Sequence, residues 1–408
     1  MVYIIIILLC IFLSYLYDYR KSHNYKLSCF VFLCLIFILL SGFRYHIGID
    51  SSRYEVWYTD MPSIIEIDDF GNQAFSKFAP GYMFSVAFAK IFSSDFIAYQ
   101  LIHSIYVNII IFAFFWKNTR NVFLAVLIYF LLFYYLFNCE ILRESLAVAT
   151  FLMGWKYMYN HKWIKYYIFA LCSTLFHYSA FITLLFPIFF LPKIRDWFYI
   201  GKKSIILICL ALFVSTFIQL YFWDFLLMFN QITILSEYTQ AYSNSEFYGS
   251  APDLNINGII SNTLKNLLYP LLACLILKTK IGFKEDERIR AIEIMVSLFF
   301  IVSIFMGSIR IIQRFQSYLF PFIAIAISLP VFSTIKLKLT MQKAKIYKLS
   351  YSIWAILLLP YFAIITYSYF SPIDSRASMR EYDKFYPYTS WISKERPPQR
   401  ERVINFYN

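Results

Sequence analysis

The sequence is short of charged residues. Lys, Arg, Asp and Glu make up 15% of its 408 residues, whereas a soluble globular chain carries about 25%. So little charge does not cover the surface of a soluble domain of this length, and 60% of the residues are hydrophobic. The same figures exclude a disordered chain, a coiled coil, a collagen and a small disulfide scaffold. The composition predicts an all-α, polytopic bundle of transmembrane helices.

Several kinds of functional site are missing as well. The seven cysteines include no CxxC pair and lie mostly in apolar runs, so we interpret them as small buried hydrophobic residues. The sequence contains no GxxxxGK[ST] phosphate loop, no HExxH zinc motif and no GxSxG nucleophile elbow. The short acidic run at 66–69 is interpreted as a solvated loop. We therefore predict neither a cofactor nor a metal site.

Long apolar runs supply the predicted helices, since a spanning helix needs about 20 mostly apolar residues. The run 81–93 is too short to cross and predicts a short interfacial helix. The run 166–191, with His177 near its middle, is too long for one span and predicts a non-crossing helical hairpin. Residues 1–370 are interpreted as one membrane domain and residues 371–408 as a polar, aromatic-containing tail. About ten full spans are predicted, at 2–17, 27–43, 97–116, 121–137, 141–158, 204–222, 259–277, 291–307, 315–333 and 349–369.

The distribution of Lys and Arg predicts the orientation in the membrane. With the N-terminus outside, the inside loops hold 22 of these residues and the outside loops hold 6, and positive charge accumulates on the inside. The loops 43–80 and 223–258, the His177 tip and the tail are then outside. This asymmetry explains most of the net charge of +13, so we predict membrane lipid, and no nucleic acid, as a partner.

Polar residues recur with helical spacing at the predicted outer ends of three helices. An ionisable residue at membrane depth costs about 2.5–3.5 kcal/mol, so such residues suggest function. The alternatives are that the cations only snorkel to the interface, that Arg143 only pairs with neighbouring glutamates, and that His177 only packs. Each stripe follows i, i+3, i+4, i+7 spacing and shares one helical face: Glu140, Arg143, Glu144 and Ala147; Asn262, Lys265, Asn266 and Tyr269; Arg310, Gln313, Arg314 and Ser317.

The run Gly42-Phe43-Arg44-Tyr45-His46-Ile47-Gly48-Ile49-Asp50, followed by Tyr54, resembles the EpsG family of Wzy-like polysaccharide polymerases. That family carries a similar Arg-x-x-x-Gly-x-Asp run after its second helix. The resemblance continues at 143–147, 177–180, Arg314-Phe315 with Tyr318, and 386–388. It implies transfer of a glycan from a polyprenyl pyrophosphate onto another lipid-linked repeat unit. The implied place is the outer face of the bacterial cytoplasmic (inner) membrane, and the implied product is O-antigen, capsule or exopolysaccharide.

The residue types suit that reaction. A pyrophosphate leaving group needs cations, and the planar guanidinium of arginine binds phosphate in a bidentate manner. If arginines supply this charge, no metal is needed, so we predict a metal-independent glycosyltransferase. The predicted catalytic residues are Arg143, His177 and Glu140. The predicted substrate-binding residues are Arg44, Asp50, Tyr54, Lys265, Arg310 and Arg314.

Other functions stay open at this point. A ligase would move the finished glycan onto a different acceptor, a flippase would carry the lipid-linked oligosaccharide across the membrane, and a membrane acyltransferase ranks third. A flippase should show charges at several depths and internal repeats, whereas the polar stripes cluster at the outer ends. The predicted partners are the polyprenyl-pyrophosphate-linked oligosaccharide and a chain-length regulator and flippase of the same pathway.

Overall fold

The fold is helical. The computed structural model describes residues 2–65, 78–198, 287–306, 313–331 and 380–407, and part of 203–215. Every regular element within these ranges is a helix, and no strand occurs in them; Arg44 and Ser390 form an isolated antiparallel bridge. This confirms the predicted all-α class.

The chain forms two compact units, residues 1–186 with 327–408 and residues 187–326. The described helices up to the hairpin are α1 (Val2–Leu13), α2 (Lys26–Gly42), α3 (Ser51–Asp60), α4 (Pro80–Lys90), α5 (Phe96–Asn118), α6 (Val122–Leu132), α7 (Leu142–Tyr159) and α8 (Trp163–Thr174), with π-helical turns at Ser14–Tyr19 and Leu136–Glu140 and a 3-10 helix at Tyr178–Phe190. They are followed by α9 (Pro192–Phe198), α10 (Glu287–Met306), α11 (Gln313–Gln316), α12 (Phe320–Val331), a 3-10 turn at Glu381–Lys384 and α13 (Pro398–Tyr407).

Two of the described helices are long and apolar enough to cross a membrane. They are Val2–Tyr19, with 18 residues, and Phe96–Asn118, with 23. The consecutive helices Tyr178–Phe190 and Pro192–Phe198 pass the same test together but are bent by 102°, as in a broken span or a re-entrant loop. These helices indicate a membrane protein. The count of about ten spans and the division at residue 370 stay predictions.

The helical hairpin predicted from the length of run 166–191 is present. The helix α8 ends at Thr174, and the 3-10 helix begins at Tyr178. The Tyr166 hydroxyl donates to the Thr183 carbonyl at 2.5 Å, so the two arms run side by side. His177 therefore lies at the tip of the hairpin, as predicted.

The described loops of the first unit gather at two opposite ends of its helices. At one end the Asp18 carboxylate accepts from the Leu124 amide at 2.8 Å, which joins the turn after α1 to the start of α6. At the other end the Tyr3 hydroxyl donates to the Phe385 carbonyl at 2.7 Å. The residues 43–50, 138–143, 175–178 and 380–400 all lie at this second end, which we call the site end. That the site end faces the outside stays a prediction.

Buried polar side chains join the helices near the site end. The Asn108 amide donates to Asn138 Oδ1 at 2.9 Å, linking α5 to the π-helical turn before α7. The Ser104 and Tyr134 hydroxyls donate to carbonyls of α2, at Ile38 and Phe37, each at 2.7 Å. Hydrogen bonds between apolar helices fix the rotation of each helix, because a misplaced polar group would be left unpaired.

The helices α7 and α8 pack at very short range. A Cβ atom placed on Gly154 of α7 would lie 2.8 Å from the Phe169 Cβ of α8. The Ser173 hydroxyl of α8 donates to the Ala147 carbonyl of α7 at 2.7 Å. Small residues at helix interfaces permit such approach between transmembrane helices.

We expect Gly154→Leu to push α7 and α8 apart and to destabilise the protein by about 1–3 kcal/mol, as overpacking does. Thermal unfolding of the purified protein in detergent would show a lower Tm. The control is Met153→Leu, because Met153 is the next residue of the same helix and is 45% exposed. Equal Tm values for the two variants would contradict the close packing.

Candidate active site

The loop that follows α2, residues 43–50, packs closely against the π-helical turn Leu136–Glu140, which precedes α7. Gly48 has φ +93°, and a Cβ there would lie 2.8 Å from the Cys139 carbonyl oxygen and 3.1 Å from Glu140 Oε1. The Ile49 amide donates to Glu140 Oε1 at 3.0 Å. Glycine suits this position because it tolerates positive φ and leaves the needed space. The loop thereby sets Asp50, at the start of α3, beside Glu140.

Glu140 titrates near neutrality. Burial raises the pKa of the Glu140 carboxyl to about 7, the Asp50 carboxylate contributes to the rise, and the Ile49 amide opposes it. Asp50 Oδ1 lies 3.7 Å from Arg53 Nη1 on the next turn. A carboxyl with a pKa near the working pH is suited to taking up and returning a proton.

Arg143 lies in a box of aromatic rings. Its guanidinium carbon is 5.1 Å from the ring centre of Trp57, 5.2 Å from that of Phe78 and 5.6 Å from that of Tyr82. We call these three side chains the aromatic box. Their ring faces attract a cation and shield it from water. Among the described residues, Arg143 has no carboxylate within ion-pair distance and its Nε has no hydrogen-bond partner.

Tyr54 connects the two halves of the site. Burial raises the pKa of its hydroxyl, and the neighbouring Arg143 guanidinium opposes this rise. The Tyr54 ring also packs edge-on against Trp57, with ring centres 5.3 Å apart. Asp50, Tyr54, Glu140 and Arg143 therefore lie together, although they come from two separate segments of the sequence.

Arg44 belongs to the same loop, near its start. It is completely buried, its Nη1 donates to the Ser41 carbonyl, and its backbone is bridged to Ser390. Its Nε and Nη2 have no hydrogen-bond partner among the residues described. A buried cation without a compensating carboxylate is costly. Arg44 is thus a second concentrated positive charge at the site end.

The hairpin tip borders the aromatic box. The Leu175 carbonyl accepts from the Gly81 amide at 2.7 Å, and the Tyr178 hydroxyl lies 3.5 Å from the Phe78 carbonyl oxygen. At the tip, His177 Nδ1 accepts from the Ser179 amide at 3.2 Å and lies 2.6 Å from the Ser179 hydroxyl. Because Nδ1 accepts from an amide, a neutral His177 ring carries its proton on Nε2.

The structure gives no placement beside this group for the remaining predicted cations. Lys265 and Arg310 lie outside the described residues, and Arg314 belongs to the second unit, where the Ser317 hydroxyl donates to its carbonyl at 2.6 Å. The predicted stripe before α7 is also interrupted. Ile141, at φ −102° and ψ 53°, separates Glu140 from the helix, so Glu140 does not share the face of α7.

The comparison with known proteins agrees with the resemblance. The model of the EpsG family matches residues 27–390, nearly the whole chain. The chain belongs to the EpsG family. This membership indicates a Wzy-like, polymerase-type membrane protein of polysaccharide biosynthesis that acts on a lipid-linked substrate. No curated protein and no solved structure matches the chain.

The sequence of this EpsG-family chain did not predict the aromatic box. Trp57 lies in α3, Tyr82 lies in α4, and Phe78 lies two residues before α4. The three residues are therefore not adjacent in the sequence. One signal was present: Tyr54, Trp57 and Tyr58 follow i, i+3, i+4 spacing and share one face of a short helix. In the part of the chain that is described, no group of three His, Cys, Asp or Glu residues has the geometry to hold a metal ion.

We expect the pKa of Glu140 to make the stability of this EpsG-family protein depend on pH. The folded-state pKa of about 7 is above the ordinary value of 4.5, so stability falls as pH rises from the lower value to the higher. Glu140→Gln cannot ionise and should therefore raise Tm at pH 8 and lose much of this pH dependence, as measured by thermal unfolding.

The matched control is Glu55→Gln. His46 hydrogen-bonds the Glu55 carboxylate and lowers its pKa, so the charged form of Glu55 is the stabilising one. Glu55→Gln should lower Tm at pH 8, the opposite direction. A decrease in Tm for Glu140→Gln at pH 8 would contradict the raised pKa.

Proposed function

We propose that this protein is a polysaccharide polymerase of the bacterial cytoplasmic membrane. It transfers a glycan from polyprenyl pyrophosphate onto another lipid-linked repeat unit at the outer face, to build O-antigen, capsule or exopolysaccharide. The observation that carries this proposal is the pairing of a boxed cation with a near-neutral carboxyl: the Arg143 guanidinium lies within 5.6 Å of three aromatic ring centres, close to Glu140 at the same end of the helices.

The reaction needs charge stabilisation at the leaving group. The acceptor hydroxyl oxygen bonds to the anomeric carbon of the donor glycan, and the bond from that carbon to the pyrophosphate oxygen breaks. The electron pair leaves with the polyprenyl pyrophosphate. Arg143 stabilises the charge that develops on it through charge-assisted hydrogen bonds. The aromatic box strengthens this interaction by excluding water, so the reaction requires no metal.

In this proposal, additional cations bind the pyrophosphate head group of the donor. Arg44 lies in the same loop as Asp50, and Lys265, Arg310 and Arg314 are assigned to the pyrophosphate head group. Asp50 and Tyr54 contact the acceptor sugar.

Glu140 is a better candidate than His177 for the general base that takes the proton of the acceptor hydroxyl. The acceptor hydroxyl must lose its proton as the new bond forms, and the pKa of Glu140, about 7, suits that transfer at neutral pH. His177 Nδ1 already accepts from the Ser179 amide, so its ring is suited to donating from Nε2 and orienting the substrate. One displacement at the anomeric carbon inverts its configuration.

The test of this function begins with a deletion strain. Single lipid-linked repeat units should accumulate outside the membrane, and the purified protein in proteoliposomes should convert them to a ladder of polymers with release of polyprenyl pyrophosphate. Repeat units trapped inside would show a flippase instead. Normal polymer that fails to reach its final acceptor would show a ligase.

Arg143→Lys tests the cation. Lysine keeps the charge but loses the planar fork that binds phosphate, so we expect polymerisation by proteoliposomes to fall about 10²- to 10³-fold. The control is Arg20→Lys, because Arg20 lies 5.1 Å from the ring centre of Tyr15 at the opposite end of α1. Full activity of Arg143→Lys would leave Arg143 as a packing residue.

His177→Gln and Glu140→Gln separate the two candidates for the base. Glutamine at 177 still donates a hydrogen bond, so this variant should keep most of its activity. Glutamine at 140 cannot accept the proton, and its rate should fall by about 10²- to 10⁴-fold. The initial rate of polymer formation is measured from pH 5 to 9. The reverse ranking of the two variants would make His177 the base.

A further inference from the structure

The C-terminal segment crosses the loop that carries Arg44 and Asp50. We call residues 380–407 the strap and residues 43–50 the site loop. Three backbone hydrogen bonds join them: the Tyr45 amide donates to the Thr389 carbonyl at 2.9 Å, the Gly48 amide to the Lys384 carbonyl at 3.0 Å, and the Trp391 amide to the Phe43 carbonyl at 3.0 Å. The strap therefore follows the site loop along most of its length.

One buried arginine fastens the strap to the site loop. Arg400 is 1% exposed. Its Nη1 donates to Thr389 Oγ1 at 2.6 Å and to the His46 carbonyl at 3.4 Å, and its Nη2 donates to the Pro387 carbonyl. The Thr389 hydroxyl in turn donates to the Tyr45 carbonyl at 2.6 Å. A single guanidinium thus satisfies oxygen atoms on both segments.

Gly48 connects the strap to the turn that carries Glu140. The strap holds the Gly48 amide from one side, and on the other side Gly48 lies against Cys139 and Glu140. If Arg400 is lost, its buried acceptors are left unpaired, which favours opening of the contact. The site loop would then lift from the turn that carries Glu140, and Asp50 would lose its position.

We propose that Arg400 is a positioning residue that holds the site loop, and with it Arg44 and Asp50, in the arrangement that binds the lipid-linked substrate. The proposal rests on the proposed polymerase function for its catalytic part. Arg400 lies beyond residues 27–390, which match the family model, so this role is assigned by the contacts of this chain.

Cys139 provides a reporter that does not depend on activity. It is buried and lies directly beneath Gly48, so lifting of the site loop should expose its thiol. The full-length protein in membrane vesicles is treated with N-ethylmaleimide, and the modification of Cys139 is followed by peptide mapping. In Arg400→Met we expect modification to be about tenfold faster, as for local opening of a protected segment.

The kinetic readout separates positioning from general loss of folded protein. In proteoliposomes, Arg400→Met should raise KM for the lipid-linked repeat unit more than it lowers kcat, because Arg44 and Asp50 are assigned to binding. A merely unstable variant would lose active protein and hence kcat alone. The control is Arg402→Met, since Arg402 is exposed on the same helix. If Arg400→Met does not fold, Thr389→Val removes one link of the same chain of hydrogen bonds.

Each outcome of these experiments tests a different part of the proposal. Faster modification of Cys139 with a raised KM supports the positioning role. An unchanged rate of Cys139 modification in both Arg400→Met and Thr389→Val contradicts the claim that the strap holds the site loop in place. Faster modification with unchanged KM overturns positioning. If the wild-type protein makes no polymer while Arg400→Met still exposes Cys139, the polymerase function fails and the fastening of the site loop stands.

Discussion

The site depends on one backbone contact, the close approach of Gly48 to the turn that precedes α7. The site loop and this turn come from distant parts of the sequence, and each carries half of the candidate site. They meet at a position where a Cβ would collide with the Cys139 carbonyl. The hydrogen bond from the Ile49 amide to Glu140 is made only at this separation. The proximity of Asp50 to Glu140 is a consequence of that contact, and it adds to the rise in the Glu140 pKa that burial causes.

A second constraint is the placement of positive charge in an apolar protein. Arg143 and Arg44 occur without an ion-pair carboxylate in the described part of the first unit. For Arg143 the aromatic box replaces some of the lost hydration, and for Arg400 backbone carbonyls do so. Rings and carbonyls stabilise a guanidinium without neutralising it. The site end thus keeps a positive field, which suits the anionic leaving group of the proposed reaction.

The sequence predicted the features that depend on length and composition. The all-α class followed from the scarcity of charge, and the hairpin at His177 followed from a run too long for one helix. It did not predict the break at Ile141, because i, i+3, i+4 spacing is compatible with an uninterrupted helix and the competing bond from the Ile49 amide is a tertiary contact. For Arg400 the sequence predicts a place in a polar tail, since charged residues near a terminus are usually solvated. Its burial follows from unpaired carbonyls that only the folded chain brings together.

The position of the strap in the chain has a consequence for biogenesis. Translation proceeds from the N-terminus, so the site loop and the helices α1 to α8 are made before Thr389 and Arg400 exist. During this interval the Gly48 and Tyr45 amides lack their strap partners. A nascent chain already placed in the bilayer therefore has an unfastened site loop. Completion of the strap is a late assembly step, which delays the finished site until the membrane-embedded part is in place.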